Sequence, residues 1–153
     1  MLTYREKIAI LLRSRKKFKN WYLYPLIYLN VIKPDFVTFK TNFGLKMKIR
    51  AKTTDLMQLA TIWLTSEYEA PGFEIKENDT IIDVGGHIGL FMLFCEQFCH
   101  KGKIYCFEPE LNNYRIFSDN VKLNNLENIH SFNMAVSKHG GNIPLYLNDD
   151  ESG

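Results

Sequence analysis

The spacing of apolar residues changes three times along this chain, and each change marks a different kind of element. Residues 3–12 repeat in the helical manner, with Ile8, Leu11 and Leu12 on one side, which predicts a short amphipathic helix. From Asp35 to Arg50 the period becomes two. Leu45, Met47 and Ile49 alternate with Lys46, Lys48 and Arg50 around the turn Asn42-Phe43-Gly44, so a hairpin with one wet face is expected. Thr54 or Asp55 then caps a helix in which Leu56, Leu59, Ala60, Trp63 and Leu64 make one apolar stripe, ended by Pro71-Gly72.

Beyond residue 78 short apolar strands alternate with helices. Thr80–Val84 reads as a strand, Ile88 to about Phe98 as a helix and Ile104–Phe107 as the next strand. Glu110 to about Asn124 is a helix with Tyr114, Phe117, Val121 and Leu111 inward, Asn128–Val136 a third strand and Ile143–Leu147 a fourth. Such alternation is the signature of a parallel sheet covered by helices, an α/β fold. Three parts follow: a basic and aromatic helical segment (1–34), a lead-in hairpin and helix (35–78) and the α/β region (79–153).

Charge adds an asymmetry that the net value of +2 conceals. Residues 1–50 hold 12 Lys and Arg against 2 acids, and residues 51–153 hold 7 against 15. The run Arg13-Ser-Arg-Lys-Lys-Phe-Lys19 is followed at once by Trp21-Tyr-Leu-Tyr-Pro-Leu-Ile-Tyr-Leu29. This makes residues 13–29 a candidate for peripheral contact with an anionic membrane; the plainer reading is a packed helix pair with solvated lysines. The run is too short to span a bilayer, and no cleavage site of a signal peptide follows it. Cys95, Cys99 and Cys106 form no disulfide framework and read as reduced thiols of a cytoplasmic protein. Phe94 and Phe98 mark the Cys95–Cys99 stretch as a buried helix, so no metal site is expected beside His100.

The chemistry is concentrated in Ile81-Ile-Asp-Val-Gly-Gly-His-Ile-Gly89, a strand that enters a helix through a glycine turn. Such a turn lets a ligand approach the backbone closely. The dinucleotide pattern G-x-G-x-x-G fails in both registers, since it would need glycine at His87 and Leu90, or at Ile88 and Phe91. Asp83 argues in the same direction. A carboxylate there repels a pyrophosphate and suits a ligand carrying an ammonium and a sulfonium, by about 4 kcal/mol for unit charges about 4 Å apart at an effective dielectric near 20. The ligand so favoured is S-adenosylmethionine. Glu108, 19 residues past Gly89 at the end of the second strand, is placed to accept both ribose hydroxyls. NAD enzymes also place an acid there, so Glu108 does not discriminate between the two.

Together Asp83-Val-Gly-Gly-His-Ile-Gly89, Phe107-Glu-Pro109, Asn120-x-x-Leu-Asn124 and Asn133-Met-Ala-Val136 resemble the FkbM family of S-adenosylmethionine-dependent methyltransferases. The resemblance runs from about Asp79 onward. It implies a Rossmann-like class I methyltransferase fold. It also implies that Asp83, Gly85 and Gly89 hold the methionine end of the cofactor, that Glu108 holds the ribose, and that Asn133 lies near the adenine. His87 departs from the family, which usually has Asn there after a small residue. It is a candidate to cap the helix or to touch the cofactor carboxylate.

The family's sheet has seven strands, and its next strand would end in an acidic motif that is absent here. The expectation is therefore a fold truncated after its first three core strands, with acceptor pocket and general base elsewhere and no activity from this part alone. The expected activity is O-methylation of a hydroxyl on a small-molecule or glycan acceptor, a sugar or secondary metabolite. Alternatives are an RNA methyltransferase, disfavoured by the acidic residues 51–153, a nicotinamide oxidoreductase, disfavoured by the glycine spacing, and a non-catalytic binding module.

Overall fold

Helix α1 (Tyr4–Lys17) runs past the expected end at residue 12, and its faces are reversed. Ile8, Leu11 and Leu12 do share a side, but that side is exposed, while Ile10 and Ser14 are buried. Arg13 Nη1 donates to the Leu64 carbonyl at 2.7 Å and ties the helix to a distant part of the chain, while the buried Ser14 hydroxyl is satisfied within the helix by the Leu11 carbonyl at 2.7 Å. The structure, a computed structural model, describes residues 4–65, 68, 72, 74–142 and 144–145. Pro71, the polar run 148–153 and, of the fourth strand expected at 143–147, residues 143, 146 and 147 lie outside the described residues, and Pro144 and Leu145 are in no strand. The chain divides into two units, Met1–Glu74 and Ile75–Gly153.

In the first unit the short helix α2 (Leu23–Tyr28) follows α1, and strands β1 (Phe36–Lys40) and β2 (Lys46–Arg50) form the expected antiparallel hairpin. Val37 faces Ile49 and Phe39 faces Met47, which puts four apolar side chains on one buried face. Phe18 packs on Phe39 with ring centres 5.3 Å apart and on Trp63 at 6.1 Å. Helix α3 (Asp55–Leu64) buries its whole predicted stripe.

Two local expectations are corrected here. Neither Thr54 nor Asp55 caps α3 through its side chain. The Asp55 carboxylate instead accepts from the Arg50 backbone N–H at 2.8 Å, from Nε at 3.0 Å and from Nη2 at 2.9 Å. Arg50 therefore leaves the wet face of the hairpin and is buried as half of a two-pronged ion pair.

The second unit is an α/β unit built on a three-stranded parallel sheet. Strands β3 (Thr80–Val84), β4 (Lys103–Phe107) and β5 (Ile129–Phe132) are all parallel, in the order β3-β4-β5. Helices α4 (Leu90–Glu96) and α5 (Leu111–Asn124) form the two crossovers. Parallel neighbours require such crossovers, because a tight turn cannot reverse the chain twice. Ile104 and Cys106 are buried on one face of the sheet, whereas Ile82 and Val84, on the other, remain 67% and 61% exposed. On that open face Tyr105 stacks on His130 at 4.9 Å and Phe107 on Phe132 at 5.1 Å.

Several boundaries move. Helix α4 is shorter than expected, and Phe98 lies past its end, half exposed. In α5 the buried positions are Asn113, Ile116, Phe117 and Asn120, so Leu111 faces outward. Strand β5 stops at Phe132, four residues before the expected end. Gly102 fixes the entry to β4: a Cβ there would lie 1.9 Å from the Asp79 carbonyl oxygen and 2.5 Å from Cys99 Sγ.

Removing one partner of a buried ion pair strands the other charge, at a cost of about 3–5 kcal/mol. Asp55→Ala should therefore unfold the first unit at markedly lower urea, read by Trp63 fluorescence. Arg50→Met combined with Asp55→Leu should restore most of the loss. If the single substitution cost under about 1 kcal/mol, the pair would be behaving as a surface one.

Candidate cofactor site

The turn after β3 needs three left-handed residues within five: Gly85 (φ 85°), His87 (φ 49°) and Gly89 (φ 84°). The glycines adopt this conformation freely and His87 does not. Gly85 and Gly86 both donate backbone N–H bonds to the Phe107 carbonyl, at 2.9 and 3.0 Å, so the turn is pinned to the end of β4.

Glu108 completes that attachment. One carboxylate oxygen accepts the His87 N–H at 2.7 Å, and the other accepts the Glu110 N–H at 2.8 Å. The Glu108 backbone N–H donates to the Phe132 carbonyl at 3.0 Å, and Asn133 Nδ2 donates to the carbonyls of Glu108 and Pro109 at 2.9 and 3.1 Å. His87, Glu108 and Asn133 are thus linked across the carboxyl ends of all three strands. Glu108 is only 6% exposed. A carboxylate has about four lone-pair positions, so each oxygen can accept a hydroxyl besides its backbone partner.

Asp83 stands one residue before the end of β3, opposite Cys106 of β4. Its Oδ2 is buried and has no hydrogen-bond partner among the described residues. Burial first, and the nearby Glu108 carboxylate second, push the Asp83 carboxyl up to about 6, with a hydrogen bond from the Cys106 thiol acting the other way. A buried orphan oxygen of this kind is costly unless something answers it.

The two left-handed glycines differ in what they do. Around Gly85 a Cβ would meet nothing within 4 Å, so the space beside the backbone is open to a ligand. At Gly89 a Cβ would lie 2.9 Å from Phe117 Cδ2, so that glycine is required by packing against α5. Gly89 is also the N-cap of α4. Asn133, on the rim, lines an open pocket of about 640 Å³ together with Pro109, Met134, Ser137 and His139.

Sequence reasoning assigned no role to three residues that shape this site. Glu110 caps α5, its carboxylate accepting from Asn112 and Asn113 N–H, and the pattern E-x-x-N after a strand end was the available signal. Asn120, buried, donates to the Ile88 carbonyl at 2.9 Å and holds the far side of the turn. Cys106 is visible only through strand register. Elsewhere, Cys99 donates to the Asp79 carbonyl at 3.0 Å, His100 pairs with Glu77 at 2.7 Å, and no cluster of three metal-ligating side chains occurs among the described residues.

Over 72 residues, 46% of this chain and 28% of the other, the chain is 33% identical to methyltransferase sdnD of Sordaria araneosa. Among solved structures it is similar to TYW2 of P. horikoshii in complex with MeSAdo, at TM-score 0.48 and 18% identity over 66% of this chain and 36% of that one. It is also similar to TYW2 of M. jannaschii in complex with AdoMet, at TM-score 0.48 and 19% identity over 68% and 45%. No family model matches the chain. The chain spans less than a third of the length of the curated relative and less than half of these two structures.

The raised pKa of Asp83 has a consequence of defined sign for stability. Between about pH 4 and 6 the unfolded chain has lost this proton and the folded one retains it, so stability falls as pH rises through that window. The loss is complete above about 6 and amounts to on the order of 2–3 kcal/mol. Asp83→Asn should raise the urea midpoint of the ligand-free protein at pH 7.5 and change it little at pH 4. Equal effects at both pH values would show that Asp83 is not held protonated by the fold.

Proposed function

We propose that residues 79–153 bind S-adenosylmethionine and form the cofactor-holding part of a methyltransferase of the FkbM kind. The observation that carries this reading is the buried Oδ2 of Asp83, without a hydrogen-bond partner among the described residues, next to Gly86 in the turn whose backbone is open at Gly85. A group placed there must be cationic or a hydrogen-bond donor. The methionine end of S-adenosylmethionine offers both, whereas a pyrophosphate offers neither. The similarity to methyltransferase sdnD supports the same chemistry.

When bound, the cofactor supplies a methyl group already activated by its sulfonium. In this reading Asp83 meets the ammonium and stays ionised, and the turn at Gly85 lets the backbone come close. His87 stands beside the cofactor carboxylate, Glu108 takes the ribose hydroxyls, and Asn133 borders the adenine. These residues orient the donor for in-line transfer. None of them is assigned the removal of the acceptor's proton. The acceptor we infer, from the FkbM resemblance, is a hydroxyl on a sugar or secondary metabolite.

Calorimetry tests the cofactor. S-adenosylhomocysteine should bind and NAD should not. Its affinity should fall about tenfold for each pH unit below about 6, as Asp83 takes up its proton. Glu108→Ala and Asp83→Asn should each weaken binding at least tenfold, since hydrogen bonds to charged groups contribute about 1.5–3 kcal/mol. NAD binding with no response to S-adenosylhomocysteine would overturn the reading. Unchanged affinity in folded Glu108→Ala would remove Glu108 from the ribose site.

A further inference from the structure

Helix α1 presents to solvent a face that an amphipathic helix normally buries. Ile8, Leu11, Leu12 and Arg15 stand at positions i, i+3, i+4 and i+7, one stripe along one side. Ile8 is 40%, Leu11 38% and Leu12 58% exposed, while the core contact is made from the opposite side by Ile10 and Ser14. The helix ends in Arg15, Lys16 and Lys17. Arg15 lies over the Trp21 ring, its guanidinium carbon 6.0 Å from the ring centre, which ties the basic end of the stripe to an indole. Tyr22, the next residue, is also exposed.

From these observations we infer that the outward face of α1 docks on an anionic lipid surface. The charge is complementary, for residues 1–50 carry 12 Lys and Arg and 2 acids. The order of groups also fits. Aliphatic side chains on a helix lying in the interface enter the acyl boundary, long basic side chains reach the headgroups, and Trp and Tyr settle between them. Three partly exposed aliphatic residues are too little to hold the chain by themselves. The basic residues and the apolar stripe act together, as two weak signals do in peripheral anchoring. No helix among the described residues is long and apolar enough to cross a membrane, so the contact is one of lying on the surface.

The test uses the full chain and phosphatidylcholine vesicles with or without about one third phosphatidylserine. Sedimentation should show binding to the anionic vesicles at low salt, at least about tenfold weaker on neutral ones and at high salt, where the attraction is screened. Trp21 fluorescence should shift to the blue and be quenched by brominated lipid, while Trp63, 2% exposed, should not respond. Leu12→Asp, at an exposed position, should fold with an unchanged melting temperature and lose at least about tenfold in partitioning. Arg15→Glu with Lys16→Glu should lose a similar factor.

Three results would overturn the inference. The first is no binding of the parent chain to anionic vesicles at low salt. The second is loss on charge reversal alone, with Leu12→Asp silent and single-stranded RNA competing, which would make the face a nucleic-acid surface. The third is a concentration-dependent dimer that Leu12→Asp dissolves, which would make it an interface between copies.

Discussion

A turn that carries three left-handed residues in five cannot be held by helix or sheet hydrogen bonds alone. Its outward N–H groups need acceptors that the regular elements do not provide. Here the Phe107 carbonyl takes the N–H groups of Gly85 and Gly86, and the Glu108 carboxylate takes that of His87. Both acceptors come from the end of β4. The parallel pairing of Val84 with Phe107 therefore sets the shape of the turn, and the turn sets where a ligand can meet the backbone. The same carboxylate reaches the Glu110 N–H, which starts the cap of α5. One side chain thus connects the ligand turn, the strand end and the helix that packs against Gly89.

Asp83 bears the cost of this arrangement. It is a carboxylate in a place where burial and a second carboxylate both oppose its charge. Stability of the free fold would be served better by a neutral residue, which fits the proposed role of this acid in holding a cationic ligand. A cation answers both problems at once, because it pairs with Asp83 and screens it from Glu108. In the proposed reading, binding of a cation would return the stability lost in the free protein and so couple occupancy of the site to its order. Destabilised groups of this kind concentrate where ligands bind.

The parts of the fold legible in the sequence were those fixed by period. Thr80–Val84 is a strand with the bounds expected, and every member of the α3 stripe is buried. Side-chain chemistry across elements was not legible. Lys46, Lys48 and Arg50 share one alternation, yet Arg50 turns inward because Asp55, five residues on, offers it two oxygens. Asp83, Gly85, Gly89 and Glu108 stood out from the strand-turn pattern and its spacing, and His87 and Asn133 only through the family resemblance. Their linkage through Glu108 did not stand out, since a strand-end acid looks the same whether it meets solvent, a ribose or a backbone N–H. Gly89 shows the same limit. Its glycine follows from Phe117, 28 residues away, a contact that only the crossover brings about.

Helix α1 shows why direction is harder to read than periodicity. The repeat places Ile8, Leu11 and Leu12 together whichever way the helix turns, and the apolar side is the natural choice for the core. Arg13 opposes that choice, because its Nη1 donates to the Leu64 carbonyl and would lose that partner if the helix rotated, while the small Ser14 hydroxyl is satisfied within its own helix by the Leu11 carbonyl and so can be buried. A satisfied polar contact at the inner face outweighs a modest aliphatic area at the outer one, as hydrogen bonds of about 1 kcal/mol each, made more valuable by charge at Arg13, stand against side chains only partly covered either way. The helix therefore keeps its apolar stripe outside together with the basic residues that follow it. That stripe places apolar and cationic groups where an anionic surface can meet both.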